Sequence, residues 1–342
     1  MRRWLTELWY RDSPWAWLLQ PLASLYAALT QLRARAYAQG WLASERVGVP
    51  VVVVGNLTVG GTGKTPLTIY LARALSAKGL RVGIVSRGYP SRERGVRRVA
   101  PGSDWRAVGD EPLILARQSA CPTVVAPDRV AAARTLVAEG VGVILADDGL
   151  QHLRMARDFE IVVIDGARGF GNGRVLPAGP LREPLARLTE ADAVIVNGAP
   201  EHASLAATLP ARAVLGMQLL AEEAVQLAAP GTHRALASFR GERVHAVAGI
   251  GNPSRFFAAL RAHGIEPIEH PFADHHALTA AELAFDDELP VLMTEKDAVK
   301  CVGFAAARLW YVPVTAQLSE RDARELLSRV LGRVPRGDGG ER

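Results

Sequence analysis

Cysteine is almost missing from this chain of 342 residues, which holds only Cys121 and Cys301. Two thiols cannot staple a protein of this size, so a disulfide scaffold is excluded and both read as buried thiols of a reducing compartment. Lysine is nearly as scarce. Lys64, Lys78, Lys296 and Lys300 are the only four, and every other basic residue is arginine. Where charge alone matters a GC-rich genome substitutes Arg for Lys. A surviving Lys can instead mark a site that needs a compact ammonium rather than a planar fork, and Lys64 and Lys296 are the candidates. There is no internal repeat and no low-complexity tract, which excludes solenoids and linkers. No long apolar run is present either. The uncharged stretch from Pro14 to Thr30 is interrupted by Gln20 and Pro21, too short and broken for a spanning helix. It lacks a small-residue cleavage site, and Arg33 and Arg35 follow it, so it does not read as a cleaved signal peptide.

What remains has a globular balance, 49% apolar and 22% charged, with a net charge of +5. By length it predicts two domains. The charge is too small, and too unsupported by any aromatic-rich basic patch, to indicate nucleic acid. Much of it lies early. Residues 1–46 hold six arginines against three acidic residues, together with Trp4, Trp9, Trp15, Trp17 and Trp41. Trp and Leu beside Arg predict an amphipathic helix lying at a membrane surface. The alternative is a helical pair packed on the main domain.

From Val51 onward strand and helix signals alternate. Val51–Val54 is a four-valine run of the kind buried on both faces of a sheet. Thr65 to Ala77 carries apolar residues at helical spacing and stops at Gly79. Further strands are predicted at 81–85, 123–126, 141–146, 161–164 and 193–196. This rhythm argues for a doubly wound, mostly parallel α/β sheet with ligands at the carboxyl ends of its strands. The apolar rhythm weakens near residues 222–243, which predicts a boundary and then a smaller C-terminal α/β domain with strands at 244–248 and 291–293. The expected division is a helical segment 1–46, a core 47–235, a second domain 236–332 and a frayed tail 333–342.

The strongest motif follows the first strand: Gly55-Asn-Leu-Thr58-Val59-Gly60-Gly61-Thr62-Gly63-Lys64-Thr65. Its glycines let backbone amides crowd around phosphate oxygens, Lys64 neutralises the outer phosphates, and the Thr65 hydroxyl can ligate Mg²⁺. Thr58 stands where the usual pattern has its first Gly. A phosphate loop calls for a metal partner on a neighbouring strand, and Asp147-Asp148 ends an apolar strand; a simple turn is the alternative. Asp110 and Glu111 open a helix, either as caps or as a carboxylate pair in a site. Asp274-His275-His276 lies in a polar loop, where a carboxylate and an imidazole together could remove a hydroxyl proton. Arg182 and Glu183 sit on a Pro/Gly loop. Arg182 could clamp phosphate charge or form a surface ion pair. Met293-Thr-Glu-Lys296-Asp297 departs from the base-reading motif of GTPases at its first two places, so guanine specificity is not supported.

Taken in order, the phosphate loop, Ser86-Arg-Gly-Tyr89, Gly109-Asp-Glu-Pro112, Asp147-Asp-Gly-Leu-Gln151-His152, residues 176–184, Asp274-His275 and Thr294-Glu-Lys-Asp297 resemble the tetraacyldisaccharide 4'-kinase family over about residues 1–330. Thr58 matches that family's own variant of the loop. The resemblance implies a phosphate-loop NTPase-like fold. It implies transfer of the γ-phosphate of ATP, with Mg²⁺, to the 4'-hydroxyl of an acylated glucosamine disaccharide in lipid A synthesis. It also implies a peripheral place at the cytoplasmic face of the bacterial inner membrane, with neither nucleic acid nor an obligate protein partner. By the same resemblance Asp110 is the base, paired with His275. Lys64 and Thr65 hold phosphate and Mg²⁺ with Asp147 and Asp148, Arg182 and Glu183 complete the phosphate and metal shell, and Glu111, Gln151 and His152 are further site residues. The competing class is a membrane-associated regulatory ATPase. Such proteins often carry a further Lys just before the Gly-Gly pair, where this chain has Val59.

Overall fold

The computed structural model describes residues 8–10, 13–88, 95–209, 214–301, 303–304 and 306–334. Trp4, Tyr89 and residues 335–342 of the expected tail lie outside the described residues, whereas Val334, also placed in that tail, is buried in the apolar cluster of the larger sheet.

Among the described residues fifteen strands form two sheets. In the larger one, β1 (Val51–Gly55), β2 (Val82–Ser86), β4 (Thr123–Val125), β5 (Val143–Asp147), β6 (Phe159–Asp165), β7 (Ala193–Asn197) and β8 (Val214–Leu220) are joined as parallel neighbours in the order β8-β7-β6-β1-β5-β2-β4. Antiparallel strands close its two edges, β3 (Arg97–Val99) beside β4 and β15 (Thr315–Leu318) beside β8. Every residue of β1 is buried, as its valine run demands: a strand covered on both faces by helices has no solvent side. Strand order reverses around β1, which has β5 on one side and β6 on the other. The carboxyl end of β1 therefore opens at the switch point of the sheet, where a doubly wound fold binds its ligand.

The helices follow as α1 (Trp15–Leu18), α2 (Gln20–Ala38), α3 (Lys64–Ser76), α4 (Trp105–Val108), α5 (Asp110–Ser119), α6 (Arg129–Ala138) and α7 (Ala203–Thr208), then α8 (Pro253–Ala262), α9 (Glu295–Ala298) and α10 (Glu320–Leu331). The smaller sheet has the order β10-β9-β14-β13-β11-β12. Its members are β9 (Glu223–Gln226), β10 (His233–Ala235), β11 (Arg243–Ala248), β12 (Glu266–Pro271), β13 (Val291–Thr294) and β14 (Leu309–Val312).

The expected division of the chain differs from this layout at both ends of the second unit. Strands β9 and β10 precede residue 236 and already belong to the smaller sheet, whereas β15 returns to the larger one and α10 packs against it. Leu326 and Val330 of α10 join the same apolar cluster as Leu67 and Leu71 of α3. Strand β12 reads Glu-Pro-Ile-Glu-His-Pro and carries no strand signal. It forms because it lies at a sheet edge, where Pro gives up no ladder hydrogen bond.

At the end of β1, a Cβ on Gly55 would lie 2.6 Å from Cβ of Leu150, so glycine lets the loop after β5 press against the start of the phosphate loop. We expect Gly55→Ala to lower unfolding free energy by roughly 1–3 kcal/mol, the usual effect of overpacking, in a urea titration. An unchanged midpoint would show that the two loops are not in contact.

Candidate active site

The phosphate loop leaves β1 and enters α3 through Gly63, whose φ of 97° suits a residue without a Cβ. Lys64 is 9% exposed, and its Nζ donates to Asn56 Oδ1 at 3.0 Å and lies 3.5 Å from Asp148 Oδ1. Asn56 Nδ2 in turn donates to the carbonyl oxygens of Thr58 (2.7 Å) and Gly60 (3.2 Å). From the other side Asn197 Nδ2 donates to Thr62 O at 2.9 Å, and the Arg168 guanidinium donates to Gly61 O. The carbonyls of the loop are thus tied outward, which leaves its amides and the N-terminus of α3 for an anion.

Asp147 ends β5, Asp148 follows it, and the two have opposite surroundings. Asp148 takes a left-handed φ of 49° and accepts from Arg182 Nη1 at 2.9 and 3.2 Å. Burial alone would raise its carboxyl, but Lys64, Arg182 and Arg129 together hold it down at about 2. Asp147 is fully buried. One of its oxygens accepts from Thr68 Oγ1 at 3.1 Å, and the other has no partner among the described residues. Burial, and then the charge of Glu111, push its carboxyl up to about 7 against the pull of Lys64. Arg182 also donates to Gln151 Oε1 at 3.3 Å, and Gln151 Nε2 donates to Glu183 Oε1 at 2.8 Å. Glu183 faces Arg187 on its other oxygen, at 3.5 Å. His152 is kept neutral, its imidazole pushed down to about 4 by burial and the nearby Arg129.

The smaller sheet supplies the other wall. His275, at φ 62°, shares a 2.9 Å hydrogen bond between Nδ1 and Asp110 Oδ2, and its Nε2 lies 3.7 Å from Asp274 Oδ2. Asp110 is buried at the start of α5, and its second oxygen accepts from the Glu111 amide at 2.8 Å. Burial works to raise the Asp110 carboxyl, but the His275 hydrogen bond and the charges of Lys296 and Lys300 bring it below its ordinary value. Of the pair, His275 is the member with exposed side-chain surface. His276 turns away to Glu282, 2.9 Å from Nε2. Other contacts hold the two sheets together beside the loop. Arg255 of α8 reaches Asp165 Oδ2 (3.3 Å) and Asn197 Oδ1 (3.0 Å), and a Cβ on Gly251 would lie 3.7 Å from the Gly61 amide nitrogen.

The sequence-derived residues therefore gather in two places joined across the sheets: Lys64, Thr65, Asp147, Asp148, Gln151, Arg182 and Glu183 around the phosphate loop, and Asp110, Glu111 and His275 at the interface. Sequence reasoning missed Asn56, Asp165, Arg168, Asn197 and Arg255. Asp165 and Asn197 are the last residues of β6 and β7, and a polar residue closing an apolar strand was the available signal. As to a metal, no group of three or more His, Cys, Asp or Glu among the described residues could hold one by itself. The partnerless oxygen of Asp147 does fit a hard cation that takes its remaining ligands from phosphate and water.

A buried strand end with a phosphate loop, a lysine and a carboxylate beside it defines a phosphate-loop nucleotide enzyme, here with an Asp–His pair bonded across the two sheets. The family model described as tetraacyldisaccharide-1-P 4'-kinase matches residues 15–332. A tetraacyldisaccharide 4'-kinase of Alkalilimnicola ehrlichii is 51% identical, covering 96% of this chain and 97% of its own. That of Nitrosococcus oceani is 47% identical over 95% and 93%. The crystal structure of LpxK from Aquifex aeolicus in complex with ATP superposes with a TM-score of 0.75 at 27% identity, covering 92% of this chain and 99% of that one. The chain belongs to the tetraacyldisaccharide-1-P 4'-kinase family.

Because the fold keeps Asp147 protonated up to about pH 7, the folded state binds more protons than the unfolded chain above its ordinary value of 3.8. That contribution to stability is complete below pH 3.8 and is lost progressively as the pH rises to about 7. Asp147→Asn lacks it. In thermal melts without nucleotide or Mg²⁺, the Tm of the variant relative to wild type should rise between pH 4 and about pH 7 and level off above it; a constant difference would rule out the buried acid.

Proposed function

We propose that this kinase works at a membrane surface, moving the γ-phosphate of ATP to the 4'-hydroxyl of tetraacyldisaccharide 1-phosphate with the Asp110–His275 pair as proton acceptor. The observation that carries this reading is the 2.9 Å Asp110–His275 bond, formed between the two sheets on the side where the phosphate loop lies. Phosphoryl transfer needs little covalent help, only alignment, charge neutralisation and a place for one proton. The amides of residues 60–65 and the N-terminus of α3 cradle the phosphates. Lys64 then exchanges Asn56 and Asp148 for phosphate oxygens. Mg²⁺ would be held by Thr65 and Asp147 and would supply neutralisation of phosphate charge. Asp148 and Glu183, offered by the resemblance as further metal ligands, are here already engaged by protein: Asp148 holds Lys64 and Arg182 in place, and Glu183 orients Gln151. As the 4'-oxygen bonds to the γ-phosphorus, the bond to the β,γ-bridging oxygen breaks and ADP departs. The hydroxyl proton passes to the Asp110–His275 pair.

The membrane contact rests on α1 and α2. No helix among the described residues is long and apolar enough to cross a membrane. Yet Leu18, Leu22, Leu25, Leu29 and Leu32 are all more than half exposed, as are Trp15, Trp17 and Trp41. Their spacing of four, three, four and three residues puts the leucines in one stripe. Such a stripe enters the acyl boundary while Arg35 meets anionic headgroups. A substrate with four acyl chains stays in the bilayer, so its kinase must come to it. Part of the segment also touches the main body. Trp9 Nε1 donates to Pro177 O at 2.9 Å and Arg174 stacks 3.8 Å from the Trp17 ring centroid, so one side grips the main body while the other faces outward.

In detergent micelles with γ-labelled ATP, His275→Ala and Asp110→Ala should each slow lipid labelling about 10²–10⁴-fold, the range of general-base catalysis, with KM for ATP within threefold of wild type. Full activity in both variants would remove the pair from the reaction. Separately, the double substitution Leu25→Glu and Leu29→Glu should weaken sedimentation with anionic vesicles at least about tenfold; unchanged binding would place the contact elsewhere.

A further inference from the structure

Three of the four lysines lie in this site, and the transfer steps above use only Lys64. Lys296, on the first turn of α9, is 17% exposed in its side chain. Its Nζ donates to Glu111 Oε1 at 2.9 Å and lies 3.6 Å from Asp274 Oδ1. Glu111 follows Asp110 in α5 of the larger sheet; Asp274 precedes His275 in a loop of the smaller one. One ammonium thus holds the chain neighbours of both members of the proton-accepting pair, and holds them across the two sheets.

The surroundings fix it there. Asp297 Oδ2 accepts from the Gly249 amide (2.9 Å) and Thr294 Oγ1 (2.6 Å), and Asp297 Oδ1 accepts from Lys300 Nζ (2.9 Å). Lys300 Nζ also donates to His276 O at 2.9 Å. Thr294-Glu-Lys-Asp-Ala-Val-Lys300 is therefore a frame for the loop that carries His275. Lys300 and Asp297 neutralise each other in a fully buried pair, whereas Lys296 stands among Glu111, Asp274 and Asp110. A compact ammonium with three donor directions suits carboxylates on different sides; a planar fork does not.

We propose that Lys296 is a positioning residue for the transfer reaction, one that ties Glu111 to Asp274 and keeps the Asp110–His275 pair ready to accept a proton. This rests on the assignment of that pair as the proton acceptor. The groups facing Asp110 are His275, Lys296 and Lys300 as cations or hydrogen-bond donors, with Glu111 and Asp274 as anions beside Lys296. Lys296 itself is held protonated: burial opposes its charge, but Glu111, Asp110 and Asp274 raise it above its ordinary value. Removing this cation makes proton uptake by either member of the pair easier, so activity must begin at higher pH.

The test measures kcat across pH 4–9 for the full chain in micelles with tetraacyldisaccharide 1-phosphate, Mg²⁺ and ATP, for wild type, Lys296→Met, Lys296→Arg and Asp110→Asn. We expect Lys296→Met to lower kcat at pH 7 about 10–100-fold and to move the acid limb upward by about one pH unit. KM for ATP should stay within twofold of wild type. Lys296→Arg, which restores the charge but not the shape, should return the limb to its wild-type place while kcat stays reduced. An acid limb that does not move in Lys296→Met, or equal losses in both variants with the limb unchanged, would overturn the proposal in favour of a purely structural ion pair. A different failure is separable. If Asp110→Asn keeps wild-type kcat, the pair is not the proton acceptor and the premise falls first.

Discussion

A lysine ammonium shut away from water must have an oxygen at hand, and the arrangement of the phosphate side follows from that requirement. Before any nucleotide arrives, Lys64 is satisfied by Asn56 and Asp148. Asp148 then carries a second cation, Arg182, which reaches Gln151, which is held by Glu183. Each member fixes the next, so the loop after β5 and the Pro/Gly loop around Arg182 keep one orientation relative to the phosphate loop. Charge runs through the chain in alternating sign, which is why Asp148 stays ionised. Asp147, one residue away but outside the chain, is pushed toward neutrality. Two adjacent carboxylates therefore have separate jobs. One is already neutralised by protein; the other has an oxygen with no partner among the described residues and so can gain from a metal.

The same logic divides the basic residues. Arginine serves wherever a planar fork meets a carboxylate: Arg182 on Asp148, Arg255 between Asp165 and Asn197, Arg187 on Glu160. Lysine survives where partners lie in several directions. Lys64 has Asn56 and Asp148, Lys300 has Asp297 and the His276 carbonyl, and Lys296 has Glu111 and Asp274. Only Lys78, in the turn after α3, is exposed. In a chain that otherwise substitutes Arg freely, lysine scarcity turned into positional information.

Much of the larger sheet was legible because its strands are buried on both faces and so are written as short apolar runs; 51–54, 123–126 and 193–196 differ from the observed strands by a residue at most. The phosphate loop was legible because its chemistry is local in sequence. Strands on the periphery were not, since β3, β10 and β12 are short or edge strands whose register is set by a neighbour rather than by their own residues. Nor could local reasoning bring Asp110 to His275, which lie 165 positions apart. From the residues alone each had a plain alternative, a helix cap in one case and a polar loop in the other, and the pairing came from family resemblance. Asn56, Arg168 and Arg255 were invisible for a related reason. Their role is to tie up carbonyls and strand ends, a task that has no sequence pattern because any donor at the right distance can do it.

On the proposed reading the membrane side is also part of the site. Arg33 of α2 donates to the Gln151 carbonyl at 3.1 Å, and Tyr26 lies close enough to Glu183 and Arg182 to feel their charges. The helix whose outer face carries the leucine stripe thus approaches, with its inner face, both the loop after β5 that carries Gln151 and the Pro/Gly loop that carries Arg182. A helix seated in the headgroup plane would then set the height of these residues above the acyl boundary. The acceptor sugar of a lipid is confined to just that layer, so a short distance between α2 and the phosphate loop removes the need to extract the substrate. The chains can stay where each buried methylene is worth about 0.8 kcal/mol, and only the disaccharide has to reach between the two sheets.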